Sequence, residues 1–227
     1  YLAEGSSSQK VLPRITKLLV KNVKVAANLT KNFNVKTFTV GGAVTLNGKQ
    51  MPDDANKYTR AYVRFSDTES GDSFSMNIGS TGPATYAGKM FAGTYDLYLA
   101  EGSSSQKVLP RITHQLVKGV VLNKDLVKNF GVKTVDITGT LTLNGQQMPD
   151  ETNSYTRAYV RFSDLKSADS ISFTLGATGA ATYSATIFAG KYDIILGEGS
   201  SSQKVLPRLT STLARSQDLQ ADATKDF

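Results

Sequence analysis

Two copies of one short alternation hold the residues best suited to chemistry in this chain. Tyr58, Arg60, Tyr62 and Arg64 alternate with Thr59, Ala61, Val63 and Phe65, and the same ten residues, YTRAYVRFSD, return with Tyr155, Arg157, Tyr159 and Arg161. On an extended backbone successive side chains point to opposite faces. The alternation therefore predicts an aromatic–cationic ladder on one face, with Ala61, Val63 and Phe65 turned towards a core. Tyr and Arg offer contact area, stacking and cation–π attraction, so the ladder is a candidate contact surface for a neighbouring protomer or for a glycan. The bland alternative is cross-strand pairing that stabilises an exposed sheet.

Catalytic and metal chemistry find less support. The single histidine, His114, is replaced by Lys17 and Ser211 at the corresponding places in the other copies. A nucleophile–base arrangement needs its base in every copy that keeps the scaffold, so His114 is expected to be an incidental surface residue, and no enzymatic activity is expected. The triple serines have no base near them in sequence and read as a loop. Asp67, Glu69 and Asp72 share one loop, and Asp53, Asp54 and Asn56 another, as Ca²⁺ ligands can. The second copy keeps Asp164 and Asp169 but has Lys166 in place of Glu69. A cation site does not exchange a ligand for a positive charge, so no metal and no cofactor is expected. Lys36 and Lys133, with Asn32, Asn129 and Asp226, are nominal partners for an isopeptide bond, against a default of solvated surface groups.

The elements that must position these residues come in repeats. Glu4, Glu101 and Glu198 open three copies of EGSSSQKVLPR at a spacing of 97 residues. Tyr1–Phe33 reads as the end of a preceding repeat, an incomplete domain, followed by repeats spanning 34–130 and 131–227. A 97-residue period is the size of a domain rather than of a solenoid turn. The two full repeats are identical at 56 of 97 positions, so the changes between them separate core from surface. At 38/135, 40/137, 44/141, 76/173, 78/175, 90/187 and 97/194 one apolar residue replaces another, as a packed core allows. Phe38, Val40, Val44 and Leu46 alternate with Thr37, Thr39 and Thr45. Asn47-Gly48 and Asn144-Gly145 suit tight turns. About seven short strands per repeat, with few helix signals, predict an all-β chain of tandem Ig-like antiparallel β-sandwiches.

Gly42/Gly139, the A-x-V-x-F strands at Ala61-Val63-Phe65 and Ala158-Val160-Phe162, Tyr86/Tyr183, and FAGTYDLYL/FAGKYDIIL together resemble the carboxypeptidase-regulatory-like, prealbumin-like (transthyretin-like) β-sandwich domains. The likeness covers about 60 residues of each repeat, and EGSSSQKVLP departs from the family pattern. It implies a prealbumin-like sandwich and, since tandem domains of this kind occur in long bacterial surface proteins, an extracellular or cell-surface setting. It specifies a fold more than a function.

Composition is neutral towards a bacterial surface setting. The chain has no Cys, which excludes disulfides and thiolate metal sites. Its formal net charge of +7 is spread along the repeats, and no basic helix points to nucleic acid. No apolar run is long enough to predict a membrane span. The repeats join through KNFNVKT without a Gly, Pro or Ser spacer, which predicts a semi-rigid rod. Tyr1–Phe33, owning late strands without early ones, is expected to be completed in cis or in trans by strand addition. The expected role is that of a structural or adhesive repeat in a bacterial fibre or surface protein, associating with itself or with neighbouring repeats. An array of carbohydrate-binding modules using the Tyr/Arg face is the alternative.

Overall fold

The computed structural model describes residues 1–5, 11–103, 108–200 and 206–227. Most of the triple-serine phrase lies outside them. The described chain is strand, turn and coil throughout, divided into two compact units.

In the first unit the Thr- and Val-rich alternation forms β1 (Thr37–Leu46), which turns back through Asn47 and Gly48 into β2 (Lys49–Gln50). Both turn residues have positive φ, 52° and 73°, the left-handed geometry that Asn-Gly tolerates. The strands β3 (Ala61–Asp67), β4 (Ser73–Ile78), β5 (Thr85–Phe91), β6 (Gly93–Glu101) and β7 (His114–Leu122) follow, with short β8 (Leu126–Val127) and β9 (Phe130–Val132). One sheet has the order β4-β3-β6-β7; the other is built on β1, between β5 and the short late strands. Alternate residues meet between the sheets. Val63, Phe65, Leu97 and Leu99 come from one, Val40, Val44, Tyr86 and Met90 from the other, all buried. The ring of Phe65 lies 6.1 Å from those of Tyr86 and Tyr95.

The second unit repeats this plan. β13 (Ala158–Asp164), β14 (Ser170–Leu175), β16 (Gly190–Glu198) and β17 (Ser211–Leu219) form the four-stranded sheet. β10 (Thr134–Thr140), β15 (Thr182–Phe188) and β18 (Ala223–Thr224) face it, beside the small hairpin of β11 (Thr142–Leu143) and β12 (Gln146–Gln147). Phe162 meets Tyr183 and Tyr192 at 6.1 and 6.2 Å. Each unit is thus an all-β sandwich.

The sandwiches depart from the antiparallel expectation in one place. The end of each repeat returns as an arm that lies parallel to that repeat's first strand: β8 on β1, and β18 on β10. Side chains secure the arm. Asp125 and Asn129 accept from the amides of Thr39 and Ala43; Asp222 and Asp226 accept from those of Asp136 and Thr140. Tyr86 Oη donates to Lys128 O at 2.7 Å, and Tyr183 Oη to Lys225 O at 2.6 Å. A Cβ on Gly42 would sit 1.9 Å from Lys128 O, and one on Gly139 2.0 Å from Lys225 O, so the arm needs glycine beneath it. Residues 20–33 correspond to 117–130, yet form no strand and leave Val20, Val23, Val25, Leu29 and Phe33 exposed. Only Tyr1–Glu4 corresponds to β6, and a strand without a partner is not stable in water. What forms is a single bridge between Leu2 and Lys17.

The compact units also cross the repeat boundaries. The first comprises Tyr1–Leu109 and Gln115–Gly131; the second comprises Pro110–His114 and Val132–Phe227. Each unit therefore includes a short stretch written in the preceding repeat.

Candidate functional site

The predicted ladder divides in two. Arg60 and Arg157 do not stand on the sheet face: both are fully buried. They precede β3 and β13, which begin at Ala61 and Ala158, so strand alternation does not extend to them. The guanidinium of Arg60 donates to Met51 O (2.9 Å), Pro52 O, Gly79 O, Thr81 O and Gly82 O, and reaches Asp53 at 3.2 Å. Arg157 repeats the pattern with Met148, Pro149, Asp150, Gly176, Thr178 and Gly179. A buried charge is tolerated when its donors are satisfied. These arginines staple two loops together and are not available to a partner, which corrects the expectation that they contact one. Tyr58 and Tyr155 are half exposed and also lie outside the strands.

Tyr62, Arg64, Tyr159 and Arg161 do lie on the outer face, half-buried, while Val63, Phe65, Val160 and Phe162 point inward. The β3–β6 register sets Arg64 opposite Tyr98, with its guanidinium carbon 4.9 Å from the ring centroid. Tyr98 was not singled out in the sequence, because the pairing that brings it to Arg64 crosses 34 residues. Its counterpart in the second unit is Ile195. The Nε atoms of Arg64 and Arg161 are buried without a hydrogen-bond partner.

The acidic loops hold backbone. Asp67, buried, accepts from the amides of Glu69 and Ser70 and closes a tight turn whose Gly71 has φ 75°. Asp164 accepts from the amide of Lys166 and from the Ser167 hydroxyl. Asp54 accepts from Asn56 and Tyr58. Among the described residues no group of three or more metal-capable side chains gathers. Of the isopeptide candidates, Asn129 is engaged with the Ala43 amide and Lys133 donates to Gln220 O.

The β3–β4 turn has a second use that the sequence did not disclose. In the first unit Asp72 Oδ2 accepts the backbone N–H of Thr16 at 2.7 Å, and Ser70 Oγ donates to Thr16 O. In the second unit Asp169 Oδ2 accepts the N–H of Thr113 at 2.8 Å. The neighbouring Ile15 and Ile112 are 2% and 3% exposed. Each turn thus holds the PRIT stretch of the preceding repeat as a docked peptide. These hydrogen bonds hold the Asp72 carboxyl below its usual range.

The residue after the docked threonine is matched to the turn. Lys17 Nζ lies 3.8 Å from Asp67 and 3.6 Å from Glu69. Where Glu69 becomes Lys166, Lys17 becomes His114, whose ring stacks on Phe188 at 4.5 Å and lines a cavity with Asp164, Lys166 and Lys191. His114 is half-buried, not an incidental surface residue. Burial lowers its pKa; Asp164 opposes the shift and Lys166 adds to it.

No family model and no curated protein matches the chain. Solved structures show a remote likeness. The minor pilin GBS52 of Streptococcus agalactiae is 10% identical with a TM-score of 0.34, over 84% of this chain and 94% of the pilin. A candidate carbohydrate-binding protein of Bacteroides uniformis is 15% identical with a TM-score of 0.29, over 77% and 98%. A leucine-rich repeat protein of Bacteroides thetaiotaomicron is 12% identical with a TM-score of 0.28; the match covers 84% of this chain and 26% of that one. At these scores the likeness carries nothing about function, and the carboxypeptidase-regulatory-like resemblance stays a resemblance.

Proposed function

We propose that this chain is a structural or adhesive segment of a bacterial extracellular fibre or surface protein, built from β-sandwich modules joined in series and without enzymatic activity. One observation carries the reading: the same peptide, with the same threonine amide on the same aspartate, is taken into the next module twice over. A chain that invests each linker in a module contact is suited to carrying load or setting spacing, and its chemistry-capable residues are occupied in holding structure. The setting is extracellular, with neighbouring repeats or further copies as partners. Negative-stain micrographs of the native material test this: filaments with an axial repeat of one or two modules support it, and discrete monomers refute it.

A second reading has one observation in its favour. The Arg64–Tyr98 pair and Tyr62 form an aromatic–cationic group on the outer face of the sheet, of the kind that receives a sugar ring. Glycan-array binding that is lost on Tyr62→Ala would establish it; an array without signal would remove it.

A further inference from the structure

Beside the β13–β14 turn the second unit opens a cavity of about 530 Å³. His114, Asp164, Lys166, Lys191 and Gln220 make its wall mostly polar, and Leu165, 49% exposed, gives it an apolar patch. All of these residues belong to the second unit. The turn already holds its docked peptide through the Thr113 amide, so the cavity is the space left with that peptide in place. Backbone hydrogen bonds fix the walls. Leu165 N–H donates to Lys191 O at 3.0 Å, and Ala189 N–H donates to Lys133 O at 2.8 Å. Three lysine-bearing segments are thereby held side by side.

Their charge is not balanced from within. The first unit closes the corresponding place on itself, with Lys17 Nζ against Asp67 and Glu69. In the second unit Glu69 gives way to Lys166, Thr94 to Lys191 and Lys17 to His114. Among the described residues neither Lys166 nor Lys191 has an ion-pair partner. The carboxylates nearby are committed elsewhere. Asp164 accepts from the Lys166 amide and the Ser167 hydroxyl, and Asp218, opposite Lys191, accepts from the Gln220 side-chain amide. Lys133 donates to Gln220 O, a neutral partner. Like charges gathered around a concave surface without a counter-charge attract an anion.

We propose that this cavity binds a carboxylate-bearing sugar of the hexuronate type, with the carboxylate between Lys166 and Lys191 and the ring against Leu165 and His114. The volume lies within the range of small-molecule sites, about 300–1,000 Å³. It exceeds what a bare inorganic anion fills, and a mostly polar wall suits a hydroxylated ligand better than an aliphatic one. The imidazole is a firm wall because it stacks on buried Phe188 at 4.5 Å. The site is separate from the Tyr62 and Arg64 face and independent of the serial architecture, so its failure would leave both untouched.

His114 is the only histidine, so its imidazole proton resonances report on the cavity directly. Titration of the full chain with sodium glucuronate, at constant pH and ionic strength, should give a saturable shift. Glucose lacks the charge and inorganic phosphate lacks the ring, and both should give a far weaker response. The variant Lys166→Glu/Lys191→Thr carries the residues that the first unit has at these places, and circular dichroism checks that its fold is kept. Its affinity for glucuronate should fall roughly five-fold or more, as expected for the loss of two exposed ion pairs. The absence of a saturable shift, an equal response to glucose or to phosphate, or an unchanged affinity in the folded double variant each overturns the proposal.

Discussion

Replacing Arg60 by Met tests the loop staple quantitatively. The side chain is wholly buried and its donors meet five backbone carbonyls and one carboxylate. Methionine preserves much of the aliphatic stem but none of the donors. Met51 O, Gly79 O and Gly82 O hold the shortest contacts, at 3.0 Å or less. Each such carbonyl left dry costs about 1–3 kcal/mol. Pro52 and Asp53 beside them are exposed, so water relieves part of this, leaving about 3–5 kcal/mol, the range for breaking a buried charged arrangement. For a domain of this size that is a fall in Tm of at least about 10 °C. The assay is urea and thermal unfolding followed by circular dichroism. The second unit, with Arg157 intact, provides an internal reference. Arg64→Ala is the companion: it loses one half-exposed cation–π contact, about 0.5–1 kcal/mol. Equal costs for the two substitutions, or an Arg60→Met effect below about 1 kcal/mol, would refute the distinction between staple and ladder.

Two further outcomes follow from the same geometry. Gly42→Ala drives a Cβ into Lys128 O; the arm should detach, at about 1–3 kcal/mol, with faster amide exchange at Thr39, Ala43 and Lys128, and unchanged exchange there would count against the clasp. His114 has a folded-state pKa below its ordinary value. Its contribution is complete above that ordinary value, about 6.5, and is lost as pH falls towards the folded one, because the unfolded chain takes the proton first. The second unit should therefore weaken below about pH 6.5, and His114→Gln should flatten that slope in a urea titration.

The sandwich was legible because a period of two, an unbroken 97-residue register and apolar-for-apolar exchanges all point the same way. Asn47-Gly48 announced its turn for the same local reason. The ladder was legible only where the strand exists: alternation gave Tyr62 and Arg64 correctly and failed at Arg60, two residues before the next ladder member, because the strand begins only at Ala61. Long-range facts left no local trace. Nothing near Asp72 in sequence states that its carboxylate will receive Thr16, 56 residues away. The parallel arm was hidden likewise, since parallel pairing requires a distant partner, although Gly42 and Gly139 marked where it lies.

The repeated phrase varies where its partner varies. Between the two docked copies Pro, Arg, Ile and Thr are unchanged, as are Asp72 and Asp169 beneath them, and the first difference is Lys17 against His114. That difference accompanies Glu69 against Lys166, in the turn each side chain meets. A lysine placed over Lys166 would be repelled, and an imidazole over Glu69 would forgo the ion pair. An exposed ion pair of this kind contributes only about 0–1 kcal/mol, too little to hold a peptide but enough to bias which turn it enters when the rest of the contact is identical. The invariant residues therefore supply the attachment, and position 17/114 supplies the address.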